Sequence, residues 1–119
     1  MTTTPQVFVV DDEESILDAF RILLRLQQIP VHTFTSAQEF LEAYRDHWQG
    51  WLFTDIQMQT MSGLALVEEL QRRGSALSIV VMTANENIEA LRVVLKGTAI
   101  VLEKPFSADA LRQLFRTCS

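Results

Sequence analysis

The chain has 119 residues, 48% hydrophobic and 21% charged, with a formal net charge of −5. That length suits one domain with a real core, and the acidic balance argues against gripping nucleic acid, whose phosphates call for a basic face. The lone cysteine, Cys118, has no internal disulfide partner and fits a reducing compartment. The opening "MTTTPQ" lacks the basic region and apolar run of a signal peptide, and no apolar stretch is long enough to span a membrane, so a cytoplasmic location is expected.

The first run, "QVFVV" at 6–10, reads as a strand buried on both faces. It abuts Asp11, Asp12, Glu13 and Glu14 with no spacer. At roughly 4 Å two like unit charges repel by about 1 kcal/mol in water and about 4 kcal/mol at an effective dielectric near 20. Such clustering calls for solvent, a helix N-terminus or a cation. Ile16, Phe20, Leu23, Leu24 and Gln27 then repeat at helical spacing, and Glu13 and Glu14 would open that helix, where negative charge is favourable. A second strand is expected at 30–34 ("PVHTF"), and Ser36 with Glu39 forms a capping box opening "FLEAY". The third strand, "GWLFT" at 50–54, runs into Asp55. Trp51 within it reads as core, while Trp48 suits either core or a partner surface. "GLALVEELQRRG" carries Leu64, Val67 and Leu70 on one face, two arginines in its last turn and Gly74 as a stop. The fourth strand, "LSIVVM" at 77–82, precedes Thr83. "ENIEALRVVL" is helical but less cleanly amphipathic. The fifth strand, at 98–102 ("TAIVL"), leads to Glu103, Lys104 and Pro105, and Ser107 caps "ADALRQLF".

Strict alternation of this kind predicts an α/β fold: a (βα)5 doubly wound parallel five-stranded sheet, flavodoxin-like, with strand order 2-1-3-4-5 and a single domain over 1–119. Ligands of open parallel sheets bind beyond the carboxyl ends of the strands, at the switch point between strands 1 and 3. Asp11 and Asp12 follow strand 1, Asp55 ends strand 3, Thr83 ends strand 4, and Lys104 follows strand 5. Three carboxylates with no histidine or cysteine nearby in sequence make a hard-cation site suited to Mg²⁺, with Mn²⁺ as the substitute. Each residue alone has an ordinary reading. An Asp pair after a strand is often a solvated turn, Thr83 a common strand end, and Lys104-Pro105 a turn. The combination, at ends of strands that topology makes adjoin, is what points to a site.

With those residues in view, the chain resembles a receiver domain of bacterial two-component response regulators, of the subgroup often joined to a helix-turn-helix output domain. The matching pieces are "VFVVDDEES", "LFTDIQMQTMSGLALVEEL", "VVMTA" and "LEKPF", and they cover essentially the whole chain. The resemblance implies that Asp55 is the phosphoacceptor and that Asp12 and Asp55 bind Mg²⁺. Asp11 would help through a bound water, and the backbone carbonyl of Gln57 would supply a further ligand. Thr83 would hydrogen-bond the phosphoryl group and Lys104 would pair with it. The implied partners are a sensor histidine kinase or phosphotransfer protein, and a second copy of the chain on phosphorylation. DNA would be reached only through an output domain absent from these residues, and no membrane is involved. The protein would promote its own phosphorylation and dephosphorylation without being a conventional enzyme. Two positions depart from the family pattern: Gln59 stands in place of a proline, and Val101 in place of a strand aromatic; the "KGTAIVLEKP" segment also looks one residue short.

Three other readings fit less of the pattern. A receiver fold can act as an interaction module without phosphorylation, but the full Asp11, Asp12, Asp55, Thr83 and Lys104 set argues against it. A Mg²⁺-dependent phosphatase with an aspartate nucleophile needs D-x-D after strand 1 and usually a cap domain; this chain has D-D-E-E and no room for a cap. An FMN-binding flavodoxin needs a Ser/Thr/Gly-rich phosphate loop there, and none follows.

Overall fold

The computed structural model describes residues 6–58, 61–84 and 87–117. Gln59 and Cys118 lie outside the described residues. The elements alternate as the periodicity requires: β1 (Gln6–Val10), α1 (Glu14–Leu26), β2 (Val31–Phe34), α2 (Ala37–Ala43), β3 (Gly50–Asp55), α3 (Gly63–Arg72), β4 (Ser78–Thr83), α4 (Ile88–Leu95), β5 (Ile100–Glu103) and α5 (Ala108–Thr117). The strands form one five-stranded parallel sheet in the order β2-β1-β3-β4-β5.

Successive strand side chains point to opposite faces, and both faces are covered. Val7 and Val9 of β1 lie with Trp51 and Phe53 of β3 under α1 and α5, where Leu17, Phe20, Leu24 and Leu111 close the layer. Phe8 and Val10 lie with Leu52 and Val81 on the other face, against Phe40 of α2, Leu66, Val67 and Leu70 of α3, and Ile88 and Leu95 of α4. Trp51 is core, as its strand position implies. Trp48 is half-buried and stacks on Phe8, with ring centroids 4.4 Å apart.

Several element details differ from the sequence reading, and at the starts of β4 and β5 the reason is a backbone N–H with another partner. Pro30 has no N–H to give and lies just before β2, although its carbonyl accepts from Val7 N at 3.0 Å. The Leu77 N–H goes to Ser75 Oγ at 3.2 Å, so β4 starts one residue later. Thr83 joins β4 and pairs with Glu103. Thr98 and Ala99 donate to the Leu95 carbonyl, closing the end of α4, and β5 therefore begins at Ile100. On α1 the buried stripe is Leu17, Phe20 and Leu24; Ile16 and Leu23 flank it, and Gln27 is the exposed C-cap. On α3 the stripe is Leu66, Val67 and Leu70, with Leu64 at its edge. The capping box at α2 is half made. Ser36 Oγ accepts from Glu39 N at 3.1 Å, but the Glu39 carboxylate accepts from Thr35 Oγ1 instead of reaching back to Ser36. Ser62 caps α3 by accepting from Ala65 N at 3.1 Å, and Ser107 caps α5 by accepting from Ala110 N. Among the described residues, no helix is long and apolar enough to cross a membrane.

Candidate functional site

The sheet order puts the carboxyl ends of β1 and β3 side by side, with β4 and β5 beyond. There, an open cavity of about 580 Å³ is walled by Asp12, Glu13, Asp55, Gln57, Thr83 and Lys104. Asp11, fully buried, is joined to this wall through Lys104, whose Nζ donates to it at 2.9 Å. Ligand oxygens of Asp11, Asp12 and Asp55 all fall within 4.8 Å of one another. The six residues singled out from the sequence are thus brought together: Asp11, Asp12, Asp55, Gln57, Thr83 and Lys104.

Local structure fixes each one. Asp11 Oδ1 accepts from the backbone N–H of Glu13, the N-cap of α1, at 2.9 Å. Its other oxygen accepts from Lys104 Nζ at 2.9 Å. Lys104 also stands 3.6 Å from Asp55 Oδ1, an ion pair beyond hydrogen-bond length. The lysine backbone is held as well: Lys104 N donates to the Thr83 carbonyl at 2.7 Å, and the Lys104-Pro105 bond is cis. Thr83 is buried, at 1% exposure, and lines the cavity.

Asp55 depends on what lies behind it. The Thr54 hydroxyl, fully buried, donates to the Asp55 carbonyl at 3.1 Å, and Ile56 N donates to Met82 O at 3.0 Å. The first residue of α3 packs directly against this peptide. A Cβ on Gly63 would sit 2.3 Å from the Asp55 carbonyl oxygen and 2.8 Å from Ile56 Cα, both backbone atoms that cannot swing aside. Glycine is required there for room, so that α3 can close on the end of β3 that carries Asp55.

Burial is the largest influence on the Asp55 carboxyl and, with the neighbouring Asp11 charge, outweighs Lys104 and the Gln57 backbone N–H; its pKa is raised above the ordinary carboxylate value. Burial opposes the Lys104 ammonium too. The hydrogen bond to Asp11 and the charges of Asp11, Asp55 and Glu13 outweigh it, and the lysine pKa is raised. The pocket therefore holds a firmly charged ammonium over an aspartate whose ionised form is partly disfavoured.

Sequence reasoning did not single out Thr54, Gly63 or the cavity-lining role of Glu13. Gly63 had a signal in the "SGL" step after Asp55, and Glu13 in the acidic run; Thr54 carries none, because a buried threonine in a strand looks like any β-branched residue.

Fold and site together define a flavodoxin-like domain with an acidic, lysine-bearing pocket at its switch point. The profile of the response regulator receiver domain matches residues 7–116, and the chain belongs to that family. It is 35% identical over 106 residues to the transcriptional regulatory protein FixJ of Azorhizobium caulinodans, across 88% of this chain and 50% of that protein. It is 39% identical over 101 residues to the transcriptional regulatory protein TdiR of Thauera aromatica, across 84% and 44%. The solved structure of the response regulator StyR shares 38% identity with a TM-score of 0.85, across 97% of this chain and 59% of that one. The chain spans about half the length of the curated relatives it matches. It is a receiver domain of the two-component type, a family in which accepting a phosphoryl group is standard.

Proposed function

We propose that Asp55 is the carboxylate that accepts the phosphoryl group, from a phosphohistidine on a sensor kinase or phosphotransfer protein. The observation that carries this is the meeting of Asp55 with Asp11, Asp12 and Lys104 in one open cavity at the switch point. A carboxylate oxygen of Asp55 attacks phosphorus, an O–P bond forms and the P–N bond breaks, and the electron pair leaves with the imidazole nitrogen. Lys104, 3.6 Å from the attacking carboxylate, faces the charge that gathers on the phosphoryl oxygens. Thr83, on the same wall, offers its hydroxyl to the transferred group. Burial, the main cause of the raised Asp55 pKa, also leaves its ionised oxygen with less bound water to shed on attack.

The donor set fits a hard cation: carboxylate oxygens from Asp11, Asp12 and Asp55, one of them fully buried beside a single lysine, with the Gln57 backbone at the rim. Asp12, Asp55 and the Gln57 carbonyl would hold Mg²⁺, with Mn²⁺ as substitute and Asp11 acting through water. When bound, Mg²⁺ would supply positive charge against the phosphoryl oxygens. The phosphorylated residue is an acyl phosphate that water hydrolyses, so Asp55 is regenerated and the domain is not a conventional enzyme. Phosphorylation adds close to two negative charges, and in the cytoplasm this switches an output carried by another domain or a partner, transcription being the reading that the FixJ and TdiR likenesses favour.

Intact-mass analysis after incubation with phosphoramidate and Mg²⁺ tests the assignment. One added phosphoryl group is expected in the parent and none in Asp55→Asn. Full labelling of Asp55→Asn would overturn it.

A further inference from the structure

Counting the acids at the pocket shows an excess that the chemistry just described does not use. Asp11, Asp12, Glu13 and Asp55 stand against one lysine, Lys104, among the described residues around the cavity. That is a formal charge of −3, and a divalent cation brings it only to −1. The surplus is Glu13. It is not among the clustered ligand oxygens, yet it lines the cavity mouth and its charge is felt at Lys104. Its side chain is held there: Glu13 Oε2 accepts from the Ser15 hydroxyl at 3.2 Å, and its backbone N–H is tied to Asp11. Glu14 is one residue on, within the first turn of α1, and does not line the cavity.

Building on the phosphoacceptor reading above, we propose that Glu13 is a specificity-determining residue that selects the phosphoryl donor by charge. With Glu13 ionised, the cation-loaded pocket stays net negative and opposes small anionic donors. With a neutral residue at 13 the loaded pocket falls to zero net charge, and a free dianion approaches unopposed. The effect is one of encounter in an open, solvated mouth, so it fades with ionic strength; at 1 M salt the screening length is about 3 Å.

The test compares parent, Glu13→Gln and Glu14→Gln with two small donors at saturating Mg²⁺. Acetyl phosphate is a dianion at neutral pH, and phosphoramidate carries one net negative charge. Melting curves against Mg²⁺ concentration fix each variant's metal affinity, so that saturation is known and any change in the cation site is measured apart from labelling. Glu13→Gln should raise the second-order rate of labelling by acetyl phosphate roughly three- to ten-fold at low salt, at or below the roughly ten-fold floor of what a whole charged cleft does to encounter rates, since one charge is removed. The gain with phosphoramidate should be smaller, and both gains should shrink toward unity at 1 M salt. Glu14→Gln should leave the ratio of the two donors unchanged. Equal gains with both donors, no gain, or a gain that survives high salt overturns the proposal. Failure of the parent to label at Asp55 would instead remove the phosphoacceptor reading, and this inference with it.

Discussion

Replacing Lys104 by methionine isolates its pair with Asp11. Methionine keeps most of the apolar stem and removes the ammonium. What remains is the Asp11 carboxylate, fully buried, with one donor, the Glu13 N–H at 2.9 Å, in place of two. Removing one partner of a buried ion pair costs about 3–5 kcal/mol, because the other charge is left uncompensated. The retained N–H and the 14% exposure of the lysine side chain put this case at the lower end, about 3 kcal/mol. Against a stability of about 5–15 kcal/mol that is a large fraction, and for a domain of this size it lowers the melting temperature by roughly 10 °C. Urea unfolding in chelator at pH 7 should show the midpoint falling with an unchanged slope. Asp11→Asn with Lys104→Met should cost less than the two single losses added together, since the paired charges leave at once. The pH dependence has a definite sign. Lys104 has a raised pKa in the fold, so its contribution is fully present below the ordinary lysine value of 10.5 and is lost as pH rises through the higher folded value. The gap between parent and variant should stay constant from neutral pH to about that value and close above it. A loss smaller than about 1 kcal/mol in metal-free buffer would refute the view that Lys104 compensates a buried charge.

Gly63→Ala should cost about 3 kcal/mol or more by overpacking against the Asp55 and Ile56 backbone, whereas alanine at Gly74 meets no atoms and should cost only the roughly 1 kcal/mol of its left-handed backbone, φ 70°; chemical denaturation of both variants checks this, and a neutral Gly63→Ala would contradict the packing. Asp55→Asn should raise the metal-free melting temperature at pH 7, because the raised carboxyl pKa means that the fold disfavours the ionised form; the gain should vanish as pH falls below the ordinary value of 3.8, and equal melting at pH 7 counts against it. Mg²⁺ should stabilise the parent by about 2.7 kcal/mol at a hundred times its dissociation constant, less at lower ratios, with Asp12→Ala needing more ion for the same shift; superimposable melting curves with and without Mg²⁺ would remove the cation from the unphosphorylated domain.

The fold was legible because its signals are local and repeated. Continuous apolar runs of strand length alternate with helical spacing, and that alternation admits few topologies. The site was legible because a parallel sheet carries the carboxyl ends of its strands to one edge: Asp11 follows β1 and Lys104 follows β5, across β3 and β4 from it, yet the long lysine side chain reaches back to within 2.9 Å of the aspartate. What escaped notice depends on a third dimension that spacing does not encode. Leu77, Thr98 and Ala99 look like strand residues, and only the competition for their backbone N–H groups excludes them from the sheet, while Pro30 has no N–H to offer it. Lys104 reads as a partner for a phosphoryl group, but in the unphosphorylated domain its shorter contact is with Asp11. Gly63 reads as part of a turn, while the structure needs it for clearance of about one methyl group.

Val101 narrows what the switch in this domain can be. The family resemblance places an aromatic at this point of the last strand, where a ring can exchange an exposed position for a buried one. Valine here is 8% exposed, paired with Val81 and packed in the layer that contains Ile88 and Leu95 of α4. A β-branched side chain has one stiff torsion and no distal group to swing, so no change of rotamer at 101 can open or cover a surface of aromatic size. The end of β4 is restrained too, since the Thr83 carbonyl is held by Lys104 N at 2.7 Å. A two-state element needs groups free to take two arrangements. Neither Val101 nor the Thr83 carbonyl meets that need, whereas α4 packs on Val101 through Ile88 and Leu95 and leaves Val93 and Val94 76% and 72% exposed. If Asp55 is phosphorylated as proposed, a ring at 101 is not available to report it, and the packing of α4 on Val101 is the contact left to change.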